Sequence, residues 1–337
     1  MNRTQALDDI KKYNFALLEK KSESDPYFLY LLGVAYYFGM KVDEDRVKAF
    51  DCFKKAAELD EPLSFYALAG MYARGDIFPQ DLDTAKSFYE KSVSFKDYDS
   101  YVALGNMITY PLINHIETLN TDKFYKIKSL VFNLKKQLQN HSEAKKAIRY
   151  YEKAIEHNVA DGYYYLCIHY KHGLGVQVDV SKALQFIESA IKINKHKEYL
   201  YLKGVLLELL GQNTEAFRAY EEASNLGHKD AQHILALAIH DGSYEGDMDY
   251  VKSLLIKASM QNNGKSQSFL SDLYFLEKNY VKSYEWALKA YSNNHFSLTE
   301  LNSIKEYLSE EQLSLVDDID VTDFQKISNK FFGDIPF

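Results

Sequence analysis

The fold of this chain is decided by residues 32–39, which read LGVAYYFG and are followed by a second amphipathic segment at residues 45–57. The same order returns 36 residues later at residues 68–75, LAGMYARG. It begins again at Leu104-Gly105 and reappears at residues 166–173, LCIHYKHG. A fixed period of this length indicates a repeat array in which each unit packs on its neighbours.

Each repeat has the pattern of a helical hairpin. The first helix carries a leucine beside a small residue, Leu32-Gly33 in the first unit, and the small residue lets the second helix approach closely. A glycine six residues further on is predicted to end the first helix in the left-handed conformation, as at Gly39, Gly75 and Gly173. An aspartate is predicted to start the second helix, as at Asp45, Asp81 and Asp179.

The spacing defines complete units at about 26–61, 62–97 and 160–195 and a split third unit between them. Sixteen residues separate Gly33 from Ala49 in the first unit, whereas 42 separate the equivalent Gly105 from Ala147, so about 26 residues are inserted at about 111–140. Residues 111–120 are expected to be irregular, and residues 124–138 have the spacing of an amphipathic helix.

The remaining segments complete the array. Residues 4–21 are predicted to form one leading helix, so residues 1–25 form an N-terminal cap. Residues 197–294 continue with units of uneven length, so that the array occupies residues 26–294. Residues 295–337 are predicted to cap it with helices at about 298–307, 310–317 and 321–331.

Composition narrows the range of partners and compartments. The net charge of −8 disfavours a nucleic-acid partner, because phosphate binding needs concentrated Lys and Arg. The first twenty residues have no apolar segment like that of a signal peptide, and no run of eighteen apolar residues predicts a membrane span. The two cysteines, Cys52 and Cys167, fall on apolar repeat positions and are expected to be buried free thiols. We therefore expect a cytoplasmic protein.

A group of lysines in the insertion is interpreted as the solvated side of its helix: Lys123, Lys126, Lys128, Lys135 and Lys136.

The repeat motif resembles a known family. The order Leu-Gly-x-x-Tyr-x-x-Gly, Gly-Val, Asp-x-x-Lys-Ala is similar to the Sel-like repeat, a longer-looped relative of the tetratricopeptide repeat, and residues 166–190 match it best. The units at 197 and 264 look more like ordinary tetratricopeptide repeats. The resemblance implies an all-α, right-handed solenoid of about seven helix-turn-helix repeats. It also implies a non-catalytic, protein-binding scaffold of the kind often found in bacteria, for which a regulator or inhibitor of a partner protein is a compatible role.

The resemblance places the first helices of the pairs on the concave face of the array. It assigns eight exposed positions to that face: Tyr30, Tyr37, Tyr66, Arg74, Tyr110, Tyr164, Lys171 and His172. Tyrosine and arginine are frequent in binding hot spots because each combines contact area with a polar group. Any single tyrosine is more typical of a side chain that fills a gap between repeats, but we interpret the set taken together as an aromatic groove that takes a peptide or helix of another protein.

Patterns typical of metal and catalytic sites are weak in this sequence. His169 and His172 are three residues apart, but no Cys, Asp or Glu stands at a matching step. Residues 173–175, Gly-Leu-Gly, follow a helix and lack the Lys-Ser/Thr of a phosphate loop. Four aspartates near the C-terminus depart from calcium-loop spacing: Asp317, Asp318, Asp320 and Asp323. We therefore expect no cofactor, no metal and no enzymatic activity.

Two functions follow from the sequence. The first is a cytoplasmic adaptor that binds one protein or peptide partner on its concave face. The alternative is a structural repeat protein that self-associates, with the insertion at about 111–140 as the dimer interface. The sequence leaves the oligomeric state open.

Overall fold

The computed structural model describes the backbone of residues 3–119 and 138–317, and the side chains of residues 5–113 and 138–313. Every regular element in these residues is an α-helix, as predicted. The chain divides into two compact units, Met1–Asn194 and Lys195–Phe337. Among the helices described, none is long and apolar enough to span a bilayer.

The first unit contains two leading helices and four helix pairs. The leading helices are α1 (Arg3–Lys12) and α2 (Phe15–Ser22). The pairs are α3 (Pro26–Phe38) with α4 (Arg46–Glu58), α5 (Pro62–Arg74) with α6 (Leu82–Ser94), α7 (Asp99–Leu119) with α8 (Ser142–Glu156), and α9 (Ala160–His172) with α10 (Val180–Ile193). From α2 onwards, consecutive helices of this unit pack against each other, and α1 packs against α3.

The second unit continues the pattern with three pairs. These are α11 (Lys197–Leu209) with α12 (Asn213–Asn225), α13 (Lys229–His240) with α14 (Met248–Met260), and α15 (Gly264–Leu276) with α16 (Tyr280–Ser292). Two short helices follow, α17 (Leu298–Lys305) and α18 (Glu310–Asp317). The described residues therefore hold seven helix pairs, which confirms the predicted number, and the helix predicted at 321–331 lies outside them.

The predicted helix ends are confirmed. Gly39 has a φ of 63°, and Gly75 and Gly173 each have a φ of 72°, so all three end their helices in the left-handed region. Each predicted aspartate caps the following helix by accepting a hydrogen bond from a backbone N–H three residues on: Asp45 from Lys48, Asp81 from Thr84, and Asp179 from Lys182.

Close approach within the pairs depends on the small residue of the first helix. A Cβ atom on Gly33 would lie 2.6 Å from the ring of Phe53, and one on Gly105 would lie 2.4 Å from the ring of Tyr151. In the second unit, a Cβ on Gly204 would lie 2.5 Å from the Tyr220 ring. Non-bonded carbon atoms cannot lie this close together. An aromatic ring of the second helix therefore occupies the place that a side chain on the glycine would need.

The N-terminal segment differs from its prediction as one helix. It forms two helices because Asn14 interrupts the chain and its side chain accepts a hydrogen bond from Leu17 N, which starts α2. Ile10 of α1 and Leu18 of α2 are both fully buried in the core of the first unit. The segment thus covers the start of the array with two short helices.

The prediction of an irregular segment at residues 111–120 is wrong for residues 111–119, because α7 runs through Pro111 to Leu119. An internal proline costs a helix roughly 3 kcal/mol, since it lacks an N–H and crowds the preceding turn. Leu112 and Ile113 pack against the buried side chains of Leu138, Ala144 and Leu174, and this packing offsets that cost. Most of the predicted amphipathic helix at 124–138 lies outside the described residues.

The two cysteines are free, as expected. Cys167 is fully buried, whereas Cys52 is half-buried. Burial raises the pKa of the Cys52 thiol to about 11 and that of Cys167 to about 12, so both remain protonated and unreactive at neutral pH.

We expect Gly33→Ala to lower the free energy of unfolding by about 1–2 kcal/mol. The clash with Phe53 outweighs the roughly 1 kcal/mol that alanine adds in helix propensity. Ser87→Ala in α6 is the control, because Ser87 is exposed and the change adds helix propensity without a clash, so stability should be unchanged or raised. Urea unfolding followed by far-UV circular dichroism measures both, and equal midpoints for the two variants would contradict the close-approach argument.

Candidate protein-binding site

An open cavity of about 470 Å³ in the first unit is lined by residues of α1, α3, α4 and α5. Much of its lining is apolar and comes from Leu7 of α1, Val34 and Phe38 of α3, Phe53 of α4, and Ala67 and Met71 of α5. The rest of the lining includes four residues that the sequence assigned to the binding face: Tyr30, Tyr37, Tyr66 and Arg74. We call this site the apolar cavity.

Tyr37 and Arg74 meet at the edge of the apolar cavity on a shared carboxylate. The Tyr37 hydroxyl donates to Asp76 Oδ2 at 2.9 Å, and Arg74 Nη2 donates to the same oxygen at 3.0 Å. Arg46 of α4 donates to Asp76 Oδ1 at 3.3 Å, and its guanidinium carbon lies 5.2 Å from the centre of the Tyr37 ring. The Asp76 side chain is only 5% exposed, while that of Arg74 is 54% exposed. The buried carboxylate therefore holds a solvent-accessible arginine and a tyrosine in fixed positions.

The expectation that Tyr30 is exposed is wrong. Only 5% of Tyr30 is accessible, because its ring packs 5.6 Å from that of Phe53 in the core of the first unit. Tyr30 lies three positions before Gly33, the residue at which α4 approaches α3 most closely through Phe53. Tyr30 therefore lines the apolar cavity from the core side.

A second open cavity of about 440 Å³ lies along the following first helices of the same unit. Four tyrosines and two aspartates contribute to its lining: Tyr66, Tyr89, Tyr110, Tyr165, Asp99 and Asp161. Asp99 lies in the first turn of α7 and Asp161 in the first turn of α9. We call this site the acidic cavity. Because Tyr66 lines both cavities, they adjoin on one face.

Tyr110, which the sequence assigned to the binding face, is half exposed in the acidic cavity. Its hydroxyl lies 2.7 Å from that of Tyr165, and the two rings meet edge to face. The Tyr165 ring stacks on that of Tyr151, with centres 5.2 Å apart. Tyr110 and Tyr165 thus rest on the packed interior of the third and fourth pairs.

A buried hydrogen-bond chain supports this wall. His169 Nδ1 lies 2.8 Å from the Leu174 carbonyl oxygen, which can only accept, so this nitrogen carries the proton. His169 Nε2 then accepts from the Thr109 hydroxyl at 3.0 Å, and Thr109 accepts from Tyr151 at 2.8 Å. His169 is fully buried, and burial lowers its pKa to about 4. It is therefore neutral at pH 7, with both ring nitrogens engaged.

The metal site considered for His169 and His172 finds no support in this geometry. His169 uses both nitrogens within the protein, whereas His172 is exposed. Among the described residues, no three His, Cys, Asp or Glu side chains are grouped so that they could hold a metal ion.

Three of the predicted face residues line neither cavity. Tyr164 is half-buried with its ring edge against Tyr165, at 5.1 Å between centres. Lys171 is also half-buried, and burial lowers the pKa of its ammonium group, while His172 is exposed at the end of α9. The structure therefore brings together Tyr30, Tyr37, Tyr66 and Arg74 around the apolar cavity, and Tyr110 lines the acidic cavity together with Tyr66.

Sequence reasoning missed the two aspartates of the acidic cavity, although the repeat register contains a signal for them. Asp99 and Asp161 stand six residues before the small residues Gly105 and Cys167. In the first two repeats, the same position holds Tyr27 and Leu63, so this position changes from apolar to acidic along the array. A comparison of equivalent positions across units would have found this change.

Comparison with known proteins identifies the repeats. The model of the Sel1 repeat matches residues 26–61, 65–94, 141–159, 160–194 and 267–295. The third match covers the second helix of the unit that the insertion splits. A TPR repeat-containing protein of Methanocaldococcus jannaschii is 23% identical over 248 residues, which are 71% of this chain and 40% of that protein. The chain therefore spans less than half the length of this curated relative.

Two solved structures share the fold. A protective antigen of uropathogenic Escherichia coli with an SLR fold has a TM-score of 0.51 and 22% identity, covering 92% of this chain and 70% of its own. A Sel1 repeat protein of Oxalobacter formigenes has a TM-score of 0.54 and 21% identity, covering 70% of this chain and 88% of its own. At these identities the likeness shows the fold of the chain.

The buried His169 predicts a pH-dependent stability. Its pKa falls from 6.5 in the unfolded chain to about 4 in the folded one, so the unfolded state binds more protons between these values. The free energy of unfolding should decrease by up to about 3 kcal/mol as the pH falls through this range, and this residue adds no pH dependence above it. Urea unfolding at a series of pH values measures the effect.

The variant His169→Gln removes one titrating group and should make this dependence shallower, whatever its own effect on stability at pH 7. The pKa values of His172 and His233 are lowered as well, so part of the dependence should remain. His240→Gln, at an exposed position at the end of α13, is the control and should retain the wild-type dependence. An unchanged slope in His169→Gln would show that His169 does not carry the effect.

Proposed function

Because the chain is a Sel1-repeat protein of the tetratricopeptide-like class, whose members are generally protein-interaction scaffolds, we propose that it binds a segment of another protein at the apolar cavity. One observation carries this proposal. Residues of α1, α3, α4 and α5 that are distant in sequence meet around one open cavity with aromatic and aliphatic walls. Its volume of about 470 Å³ falls within the roughly 300–1,000 Å³ typical of binding sites.

The edge of the cavity supplies the polar part of the recognition. Arg74 and Tyr37 are residue types that dominate binding hot spots, and Asp76 holds both before any partner arrives. A side chain that is already fixed loses little conformational entropy on binding. An apolar side chain of the partner would enter the cavity while its backbone or a polar side chain meets Arg74.

The partner is a protein held without chemical conversion, so the role is that of an adaptor or of a regulator that occupies its partner. A bacterial cytoplasm suits two free thiols, because that compartment keeps thiols reduced. The alternative of self-association through the insertion remains a prediction, since residues 120–137 lie outside the described residues.

The test uses Ala67→Glu, which places a charge inside the apolar cavity at a partly exposed position of α5. Removing Arg74 itself is a less selective test, because it would leave the Asp76 carboxylate buried with fewer partners. Ser87→Glu adds the same charge to an exposed position of α6 that lines neither cavity and serves as the control.

A photo-crosslinking amino acid at position 67 in the source cell, with position 87 as the control site, identifies the partner for purification. We expect Ala67→Glu to weaken binding of that partner by at least about 30-fold, because a buried unpaired charge is costly, and Ser87→Glu to leave it unchanged. Isothermal titration calorimetry measures both affinities. Equal affinities of the two variants would place the binding site elsewhere.

A further inference from the structure

The acidic cavity differs from the apolar cavity in its charges. Asp99 and Asp161 are the charged residues of its lining, and no Lys, Arg or His is among the described residues that form it. In the apolar cavity the charged residue of the lining is Arg74, and its guanidinium is paired with the nearly buried Asp76. The two cavities adjoin at Tyr66, so an acidic site lies within one repeat of the apolar one.

The walls of the acidic cavity also suit a cation. Tyr66 and Tyr89 meet edge to face with ring centres 5.2 Å apart, and Tyr110 and Tyr165 do so at 6.2 Å. A ring face attracts an ammonium or guanidinium group electrostatically, and a phenol oxygen can accept its hydrogen bonds. Tyr165 is held in place by stacking on Tyr151, which is fully buried. These rings therefore present a prepared aromatic surface beside two carboxylates.

We propose that the acidic cavity receives a lysine or arginine side chain of the same protein segment whose apolar side chain enters the apolar cavity. This inference rests on the proposed function and adds the chemistry of the partner. The long aliphatic part of a lysine or arginine would pack along the tyrosine rings while its charged end meets Asp99 and Asp161. The partner segment thus carries an apolar residue and, further along, a basic one.

The test begins with peptides selected from a random 12-residue phage-display library on the full chain. Peptides whose binding is lost in Ala67→Glu are kept, because they occupy the apolar cavity. The double variant Asp99→Asn/Asp161→Asn removes both negative charges while preserving side-chain shape. Asp51→Asn/Asp83→Asn is the charge-matched control, since both residues are exposed on second helices and line neither cavity.

We expect the retained peptides to share a basic residue at a fixed distance from an apolar one. Their affinity should fall about ten-fold or more in Asp99→Asn/Asp161→Asn, in line with the loss of a charge-assisted contact over aromatic rings, and stay unchanged in the control. Replacing the basic residue of the peptide by methionine should cause a similar loss in the wild type and little further loss in the double variant. Such coupling shows that the two groups meet.

The two proposals fail in different ways. If no selected peptide depends on Ala67, the proposed function is wrong. If peptides depend on Ala67 but show no preference for a basic residue, or bind Asp99→Asn/Asp161→Asn as tightly as the control, the apolar site stands and the cation site is overturned.

Discussion

The structure depends on the close approach of the two helices in each pair. In three pairs, the ring of a second-helix aromatic residue lies where the Cβ of a glycine would be, as with Phe53 against Gly33 and Tyr151 against Gly105. This contact fixes how far each first helix stands from its partner and which of its side chains turn inwards. Tyr30 and Tyr151 are buried for this reason, and the residues that remain accessible on α3, α5, α7 and α9 form the face with the two cavities.

The candidate site shows how a scaffold of local contacts prepares side chains for binding. Asp76 is nearly buried and holds Tyr37 and Arg74 from two different helix pairs. In the acidic cavity, a series of hydrogen bonds from Tyr151 through Thr109 to a neutral His169 holds Tyr151 in place, and Tyr165 stacks on Tyr151. In both arrangements, polar groups form hydrogen bonds within the protein and hold nearby side chains in place. This lowers the conformational entropy lost when a partner binds. The rigid interior and the accessible face are thus parts of one arrangement.

Some parts of this arrangement were accessible to sequence reasoning and others were not. The Sel-like motif predicted the helix pairs, their glycine ends and their aspartate caps, because these depend on residues close in sequence. It also selected Tyr37, Tyr66 and Arg74, which the structure groups around one cavity. The helical course of α7 through Pro111 was missed because contacts with Leu138 and Leu174, distant in sequence, offset the local penalty.

The sequence by itself determined the repeat unit, since helix propensity, capping and the spacing of Leu, small and aromatic residues act over one or two turns. Only the tertiary structure decided which tyrosines are accessible, that Asp99 and Asp161 share a cavity with Tyr66, and that Asp76 joins Tyr37 to Arg74. These features depend on distances between helices that are far apart in the chain. Such distances follow from how neighbouring helix pairs pack, and the periodic pattern of the sequence does not specify them.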